Sequence, residues 1–186
     1  MAGCPHLLDL SSLVPIAVWS LLRVYAEKPS QRKNTMNLEK VMTLLRSRGL
    51  EGIAEPCLQF RTQPIQEHEL SLGSSKFGGS PELPIEVPWP TWNGWPLDFL
   101  LQLDCSEIPP HLTSDLLPKT GWLYFFYDIE SHTWGYDPSD RGSWRVLFFE
   151  GDRKALVRRR HPDYANARFI PFRNSTSNLQ IRKVHH

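Results

Sequence analysis

The sequence predicts an α+β domain that is mostly antiparallel β-sheet, with an N-terminal amphipathic helix and a covering segment rich in proline and tryptophan. Three patterns lead to this fold class. Apolar residues recur at helical spacing in residues 37–48, they alternate with strand periodicity in three later segments, and five prolines and three tryptophans fall within residues 81–96. A chain of 186 residues is long enough for one domain with a substantial hydrophobic core.

The predicted helix spans residues 37–48. Asn37 is a good N-cap, because its side chain can accept a hydrogen bond from a free N–H of the first turn. Gly49 suits the position just beyond the C-terminal end. The apolar stripe of this helix consists of Leu38, Val41, Met42, Leu44 and Leu45. We expect the stripe to pack on the domain, and binding of a partner protein is the alternative.

Residues 75–96 are predicted to lie as a stiff, extended cover on a β-sheet. Each of the five prolines fixes a backbone dihedral, removes an N–H donor and disfavours helical conformation in the residue before it. Gly78 and Gly79 allow a bend and a close backbone approach. The indoles are those of Trp89, Trp92 and Trp95. A buried aromatic side chain hides about 150–250 Å² of surface, which predicts that these indoles cover the core. The alternative is an aromatic groove for an extended peptide.

Three segments show the alternation that is typical of β-strands. Residues 122–127 are aromatic or apolar on both faces, which predicts a central strand between two covering layers. Residues 143–150 are expected to pair with that strand in antiparallel orientation, because they follow it in sequence. The alternation in residues 97–104 predicts one face made of Phe99, Leu101 and Leu103.

Two blocks of the sequence carry a resemblance to a known family. The first block consists of Ser75-Lys76-Phe77-Gly78-Gly79-Ser80-Pro81, Leu83-Pro84, Trp89-Pro90, Pro96-Leu97, Phe99-Leu100 and Gln102-Leu103. The second block is residues 117–128, from Leu117-Pro118-Lys119-Thr120-Gly121 to Asp128. The chain resembles the YwqG-like proteins, a domain of unknown function, over about residues 36–149. The resemblance implies no activity and no catalytic residue. The family's later block, a Leu-Gly-Tyr-Pro string with a nearby Gln, has no counterpart here, so the resemblance predicts a domain truncated at its C-terminal end.

Charge is divided unequally along the chain, although the net charge is only +1. Residues 36–151 contain 8 basic and 16 acidic residues, whereas residues 152–186 contain 9 basic and 2 acidic residues. The division predicts three parts. Residues 1–35 form an N-terminal extension that is poorly ordered or a short helix, and residues 36–151 form the YwqG-like domain. Residues 152–186 are a basic tail or an incomplete remainder of the domain.

The basic tail suggests a site for phosphate groups at Arg158, Arg159 and Arg160, since clustered arginine with few acidic residues is the electrostatic pattern of nucleic-acid binding. Two alternatives stay open. Residues 155–157 are apolar enough for an edge strand that neighbouring arginines protect from aggregation. The tail is also charged so as to pair with the acidic body.

The sequence predicts no metal, no cofactor and no membrane span. Cys4, Cys57 and Cys105 are far apart and odd in number, which indicates neither a zinc site nor a disulfide framework and favours a cytoplasmic location. The apolar run over residues 10–22 is shorter than the roughly 20 residues that a spanning helix needs. Acidic residues in 128–140 do not follow the order of a calcium-binding loop, so an exposed hairpin loop is the favoured interpretation.

No motif nominates a catalytic residue, so we expect a non-catalytic protein- or peptide-binding or regulatory module. Lys76 beside two glycines is the best candidate for an anion contact, with a structural bend as the alternative. The predicted binding residues are Lys76, Gly78, Gly79, Trp89, Trp92 and Trp95. Nucleic-acid binding through the basic tail and an uncharacterised enzymatic activity are the alternative functions.

Overall fold

Across the residues that the structure describes, regular structure consists of β-strands joined by short 3-10 turns. The structure is a computed structural model that describes residues 6–9, 43, 46–48, 59–109, 117–129, 133, 137–162 and 176–182. The strands are β1 (His6–Asp9), β2 (Gln59–Ile65), β3 (Lys76–Gly78), β4 (Glu82–Leu83), β5 (Thr91–Trp92), β6 (Trp95–Pro96), β7 (Asp98–Asp104), β8 (Trp122–Tyr127), β9 (Trp144–Glu150), β10 (Val157–Arg158) and β11 (Thr176–Arg182). The 3-10 turns are Glu67–Glu69, Cys105–Glu107, Pro138–Asp140 and Arg153–Ala155.

Seven of these strands form one sheet in the order β1-β9-β8-β7-β3-β11-β2, and its pairings are antiparallel. Two separate two-stranded sheets join β10 with β4 and β5 with β6. The predicted pairing of residues 122–127 with residues 143–150 is confirmed, since β8 pairs with β9 along its whole length.

The first and last described strands lie in the two flanking parts of the chain. β1 falls within residues 1–35 and pairs with β9, and β11 falls within residues 152–186 and pairs with both β2 and β3. The main sheet therefore contains strands from all three predicted parts of the chain. The division of the chain at 35/36 and 151/152 stays a prediction.

β8 lies inside the sheet with both faces covered, as the sequence predicts. Trp122, Tyr124 and Phe126 belong to one apolar cluster, and Leu123 and Phe125 belong to another. We call the first the flap face, because residues 79–97, which we term the flap, pack on it. The second is called the opposite face.

The flap packs on the sheet through three buried apolar residues, Leu83, Val87 and Leu97. The predicted cover began at residue 75, whereas Lys76–Gly78 is β3 and pairs with β7 and β11. This part of the predicted cover belongs to the sheet itself. The reason is that the prolines begin only at Pro81, so the N–H groups of β3 remain available for sheet pairing.

A β-bulge in β7 breaks the side-chain alternation that the sequence predicts. Phe99 pairs with Phe126, but Leu101 pairs with Phe125, so the register shifts between Phe99 and Leu101. Phe99 therefore lies on the flap face and Leu101 on the opposite face. The prediction that Phe99, Leu101 and Leu103 share one face is wrong.

The same bulge brings polar side chains beneath the flap. Gln102 lies opposite Tyr124, and Asp104 lies opposite Trp122. Directly paired residues of an antiparallel ladder point to the same side, so both polar residues belong to the flap face. Both are buried, and they need partners there.

The predicted α+β class with an N-terminal amphipathic helix is wrong, because the described fold is mostly antiparallel β-sheet. Of residues 37–48, only Thr43 and residues 46–48 are described. Thr43, Arg46 and Ser47 have helical backbone conformation, but no α-helix is delimited among the described residues, and the rest of the predicted helix lies outside them. The flap face needs no helix, since the flap and residues 152–162, which we term the strap, cover it.

Candidate functional site

The strap holds the flap in place through backbone and side-chain contacts. β10 of the strap pairs with β4 of the flap, and the Arg159 N–H extends this pairing by donating to the carbonyl oxygen of Pro81 at 2.9 Å. Leu156 is buried in the same cluster as the flap residues. The Arg159 guanidinium donates to the carbonyl oxygens of Pro84 and Val87. The strap is therefore part of the covering layer.

A second arginine of the strap ties the loop before β3 to the sheet. Arg153 forms an ion pair with buried Asp104, with 2.6 Å between Nη2 and Oδ2. Arg153 Nη1 donates to the carbonyl oxygen of Leu72, and the guanidinium lies 5.4 Å from the ring centroid of Trp122. The polar side chain that the bulge turns inward at Asp104 thus has a charged partner.

Lys76 and Glu82 form a buried ion pair beneath the flap. Lys76 Nζ lies 3.1 Å from Glu82 Oε1, and the two side chains are 0% and 1% exposed. Lys76 belongs to β3 and Glu82 to β4, so the pair joins the main sheet to the covering layer. Removing one partner of such a pair leaves an uncompensated buried charge, which costs about 3–5 kcal/mol.

Glu82 accepts hydrogen bonds from several further groups. The Gly73 N–H donates to Oε2 at 2.6 Å, Gln102 Nε2 donates to the same oxygen at 3.1 Å, and Arg158 Nη2 donates to Oε1 at 2.6 Å. The Glu82 N–H donates to Gln102 Oε1, and the Tyr124 hydroxyl donates to the Glu82 carbonyl oxygen. We call Lys76, Glu82, Gln102 and Arg158 the ionic centre.

The surroundings of the ionic centre set its charges. Burial raises the pKa of Glu82, but Lys76, the Gly73 N–H, Arg158 and Gln102 together outweigh burial and hold that pKa below its ordinary value of 4.5. Burial lowers the pKa of Lys76 from its ordinary value of 10.5, and the carboxylates beside it oppose this effect. Because four donor groups converge on Glu82, we assign it as an ionised carboxylate at neutral pH.

Glu67 closes the ionic centre on its outer side. Its Oε1 accepts a hydrogen bond from the Ser80 N–H at 2.7 Å and lies 3.3 Å from Lys76 Nζ. The Glu67 carbonyl oxygen accepts a hydrogen bond from Arg158 Nη1 at 3.0 Å. The Glu67 side chain is 27% exposed, so this carboxylate lies where the ionic centre meets solvent.

Three residues that the sequence predicts as binding residues, Lys76, Gly78 and Gly79, meet at this place. The anions that Lys76 contacts are the carboxylates of Glu82 and Glu67. Gly78 and Gly79 both have positive φ angles, of 72° and 73°, and they form the bend between β3 and the flap.

Sequence reasoning missed the acidic members of this site. Glu82 stands between Pro81 and Leu83 in a stretch that is expected to be buried, and a carboxylate in such a stretch requires a basic partner. That signal points to Glu82. No comparable signal points to Glu67 or Gln102, because their places depend on how the loop and the bulge fold.

Trp89 is an anchor of the flap. Its indole N–H donates to the carbonyl oxygen of Leu97 at 2.9 Å, and its ring makes edge contacts with Phe126 and His161 at centroid distances of 5.5 and 5.4 Å. The Arg159 guanidinium lies over the same ring. These contacts give Trp89 a packing role, and the ring is half-buried.

Trp92 and Trp95 form a cross-strand pair in the hairpin of β5 and β6. The two turn residues, Asn93 and Gly94, have positive φ angles of 50° and 81°, as a type I′ turn requires. The Trp92 indole donates to the carbonyl oxygen of Arg141, whereas Trp95 is 72% exposed. The hairpin thus holds one indole against the protein and presents the other to solvent.

The three arginines predicted to bind phosphate lie in or beside β10. Arg158 forms an ion pair with Glu82, and Arg159 contacts the flap. Arg160 is exposed. Arg158 and Arg159 therefore follow the alternative in which the basic segment pairs with the rest of the protein, and nucleic-acid binding through these residues stays an untested prediction.

Cys105 is a free, buried thiol, and burial together with the charge of Asp104 raises its pKa to about 12. It is protonated at neutral pH and does not provide a thiolate nucleophile. Within the described residues, no group of three or more His, Cys, Asp or Glu side chains is placed to hold a metal ion. The same part of the chain contains no helix with the length and hydropathy to cross a membrane.

Fold and site together define an antiparallel β-sheet domain with an ionic centre under a proline-rich flap, and nothing in this arrangement assigns a reaction. The chain belongs to the family described as domain of unknown function (DUF1963), whose model matches residues 75–185 and thus more than half of the chain. None of the curated proteins matches the chain. The matched span contains the flap and the strap, whereas Glu67 lies before it.

Proposed function

We propose that this chain is a YwqG-like, non-catalytic binding module of the cytoplasm, and that it docks an extended segment of a protein partner on the indole of Trp95. The observation that carries the proposal is the 72% exposure of Trp95 on a hairpin whose other indole is hydrogen-bonded to the protein. The YwqG-like assignment is supported by the first sequence block, which falls within the family match. The cytoplasmic location is supported by the free thiol of Cys105.

The Trp95 indole presents a large apolar surface to solvent, and a binding partner can cover it. Tryptophan is enriched among the residues that dominate binding energy at protein interfaces, since one ring offers a large apolar area together with an N–H donor. The two-residue turn and the Trp92 hydrogen bond fix the backbone that carries Trp95. A rigid presentation lowers the conformational entropy that is lost on binding.

The chemistry of the hairpin favours an extended, proline-containing peptide as the partner segment. Exposed aromatic side chains line the grooves that bind proline-rich extended peptides, and Trp95 is an exposed aromatic side chain. A peptide of this kind is already extended before it binds, so a small aromatic surface suffices to hold it.

The proposal is tested by selecting displayed peptides on the immobilised full-length chain and measuring their affinities for variants. We expect peptides selected on the wild type to bind Trp95→Ala at least tenfold more weakly, because truncating a central tryptophan costs about 2 kcal/mol or more. Ile85→Ala is the matched control, since Ile85 is 65% exposed in the same flap but lies outside the hairpin.

Equal affinity of the selected peptides for the wild type and Trp95→Ala would refute the proposal. A selection that enriches no peptide on the wild type beyond those enriched on Trp95→Ala would do the same. A loss of affinity in Ile85→Ala of the same size as in Trp95→Ala would move the docking surface away from the hairpin.

A further inference from the structure

The bend after β3 forms a small anion site that the chain's own Glu67 occupies. The consecutive positive φ angles of Gly78 and Gly79 turn the backbone so that the Ser80 N–H faces the Glu67 carboxylate at 2.7 Å. A backbone N–H that is held in this orientation supplies a fixed partial positive charge, which favours an anion at this place. The Lys76 ammonium, 3.3 Å from the same carboxylate oxygen, supplies the positive charge.

The fit between the bend and the carboxylate is close at Gly79. A Cβ atom on Gly79 would lie 2.7 Å from Glu67 Oε1 and would also meet the Thr176 hydroxyl. A side chain at this position would therefore fill the place where the carboxylate lies. Gly79 leaves room for a carboxylate oxygen directly against the backbone.

Glu67 belongs to a short exposed turn, whose contact with the strap is made by Arg158 at the Glu67 carbonyl oxygen. The 3-10 turn Glu67–Glu69 has three residues and buries none of them. The Glu67 side chain is 27% exposed, whereas Lys76 is 0% exposed, so Glu67 lies between the lysine and solvent. Moving the turn away breaks the hydrogen bonds that Arg158 donates to the Glu67 and Leu70 carbonyl oxygens, but it uncovers no buried residue of the turn, and segments of this kind open at a lower free energy than the whole protein unfolds.

The neighbouring charge of Glu82 sets which anion fits. Glu82 Oε1 lies 3.1 Å from the same Lys76 nitrogen. Lys76 and Arg158 carry two positive charges and Glu82 carries one negative charge, so a singly charged carboxylate in the place of Glu67 leaves these groups neutral, whereas a doubly charged phosphate leaves an uncompensated negative charge. The site therefore fits a carboxylate, which is the group that Glu67 places there.

We propose that Lys76, Gly79 and Ser80 form a carboxylate-binding site, that Glu67 is its internal occupant, and that a ligand carboxylate binds there when the turn Glu67–Glu69 moves away. Glu67 then acts as an autoinhibitory side chain. The ligand class is a small carboxylate or an acidic group of a peptide. This site uses none of the residues of the Trp95 hairpin, so a test of the carboxylate site is independent of a test of the proposed function.

The test removes the internal occupant and supplies acetate to the full-length chain. In Glu67→Ala we expect sodium acetate to raise the Tm by about 2–4 °C in a saturable manner, compared with sodium chloride at equal ionic strength. The wild type, in which Glu67 competes, should show a much smaller rise. Glu86→Ala is the matched control, because it removes an exposed carboxylate from the flap without opening the site.

A second measurement follows the Ser80 amide by NMR. Acetate should shift this amide signal in Glu67→Ala but not in Glu86→Ala, and Glu67→Ser is the second variant if Glu67→Ala does not fold. An equal Tm rise in the wild type, Glu86→Ala and Glu67→Ala would overturn the proposal, as would a Ser80 amide that acetate leaves unmoved. An equal or larger effect of phosphate at the same ionic strength would overturn the assignment to carboxylates.

Discussion

Glu82 is the single residue on which the covered face of the sheet depends most. Its carboxylate accepts hydrogen bonds from a backbone N–H, an amide and a guanidinium and also pairs with an ammonium. The Glu82 side chain is 1% exposed, so water cannot replace any of these donors. One side chain thereby connects β3, the bulged strand β7 and the strap.

The lowered pKa of Glu82 makes its stabilising effect depend on pH. Below its ordinary pKa of 4.5 the unfolded chain takes up the proton first, so the stabilisation is complete above that pH and is lost as the pH falls through the lower, folded-state pKa. We expect Glu82→Gln to lower the free energy of unfolding by about 3 kcal/mol at neutral pH. The difference from the wild type should shrink as the pH falls below 4.5, as measured by urea unfolding.

Glu86→Gln, which changes an exposed carboxylate of the same flap, provides the control for that experiment. Its free energy of unfolding should stay close to that of the wild type at every pH. A difference between Glu82→Gln and the wild type that did not change with pH would contradict an ionised Glu82 in the folded protein.

Single-residue chemistry was only partly predictable from the sequence. Lys76 could be singled out as a candidate anion contact because it precedes two glycines that allow a close approach to the backbone. Its surroundings could not be predicted, because the contact of Lys76 with Glu82 depends on the bend at Gly78 and Gly79, and the contact of Gln102 with Glu82 depends on a bulge. Neither the bend's direction nor the bulge has a signature in side-chain periodicity.

At the scale of elements, one part of the flap covers the sheet and another part exposes an indole, whereas the sequence predicted a cover. Its prolines and Leu83, Val87 and Leu97 cover the sheet, while the β5–β6 hairpin projects from the covering layer and exposes Trp95. The prediction treated the three indoles alike. They differ because Trp89 contacts the core and Trp92 contacts Arg141, and only the folded hairpin determines which ring remains outside.

The different exposure of the indoles is measurable by acrylamide quenching of tryptophan fluorescence. Trp95→Phe should reduce the quenching constant of the folded protein, because it removes the exposed ring. Trp89→Phe, the matched control, removes a half-buried ring and should leave the constant unchanged or raise it. Equal reductions in both variants would contradict the placement of Trp95.

Strands β7, β8 and β9 of the main sheet were predictable from the sequence, and the fold class was not. Residues 122–127 and 143–150 show their strand character in sequence because both faces of β8 and β9 are packed. The helical stripe in residues 37–48 does not determine the fold class, because the described fold is mostly antiparallel β-sheet. Helical periodicity shows which residues of a segment would share one face of a helix. It does not show that this helix would determine the fold class of the protein.

At the scale of the whole molecule, the basic strap contributes Leu156 to the core and helps to cover the flap face of the sheet. Its charge suggested a tail that reaches outward, yet Arg153 and Arg158 pair with buried acidic residues and Leu156 is only 3% exposed. The opposite charges of residues 36–151 and 152–186 thus meet inside one protein. Composition shows that two segments are complementary in charge, but not whether they pair with each other or with a partner.

This placement predicts different effects of two adjacent substitutions. Leu156→Ala should lower the free energy of unfolding by about 2–5 kcal/mol, because it leaves a cavity under the flap. Val157→Ala, at a residue that is 45% exposed, should change it by less than about 1 kcal/mol. Equal and small effects in chemical denaturation would mean that the strap is a solvated tail.

The ionic centre joins the strap to the flap, and a double-mutant cycle between Glu82 and Arg158 is the most direct test of this connection. The free energies of unfolding of the wild type, Glu82→Gln, Arg158→Met and the double variant would be measured by urea unfolding. We predict a coupling free energy of at least ~1.5 kcal/mol, because each single variant leaves a buried or half-buried charge without its partner. Effects that add to within ~0.5 kcal/mol would show that the two residues do not interact and would contradict the account.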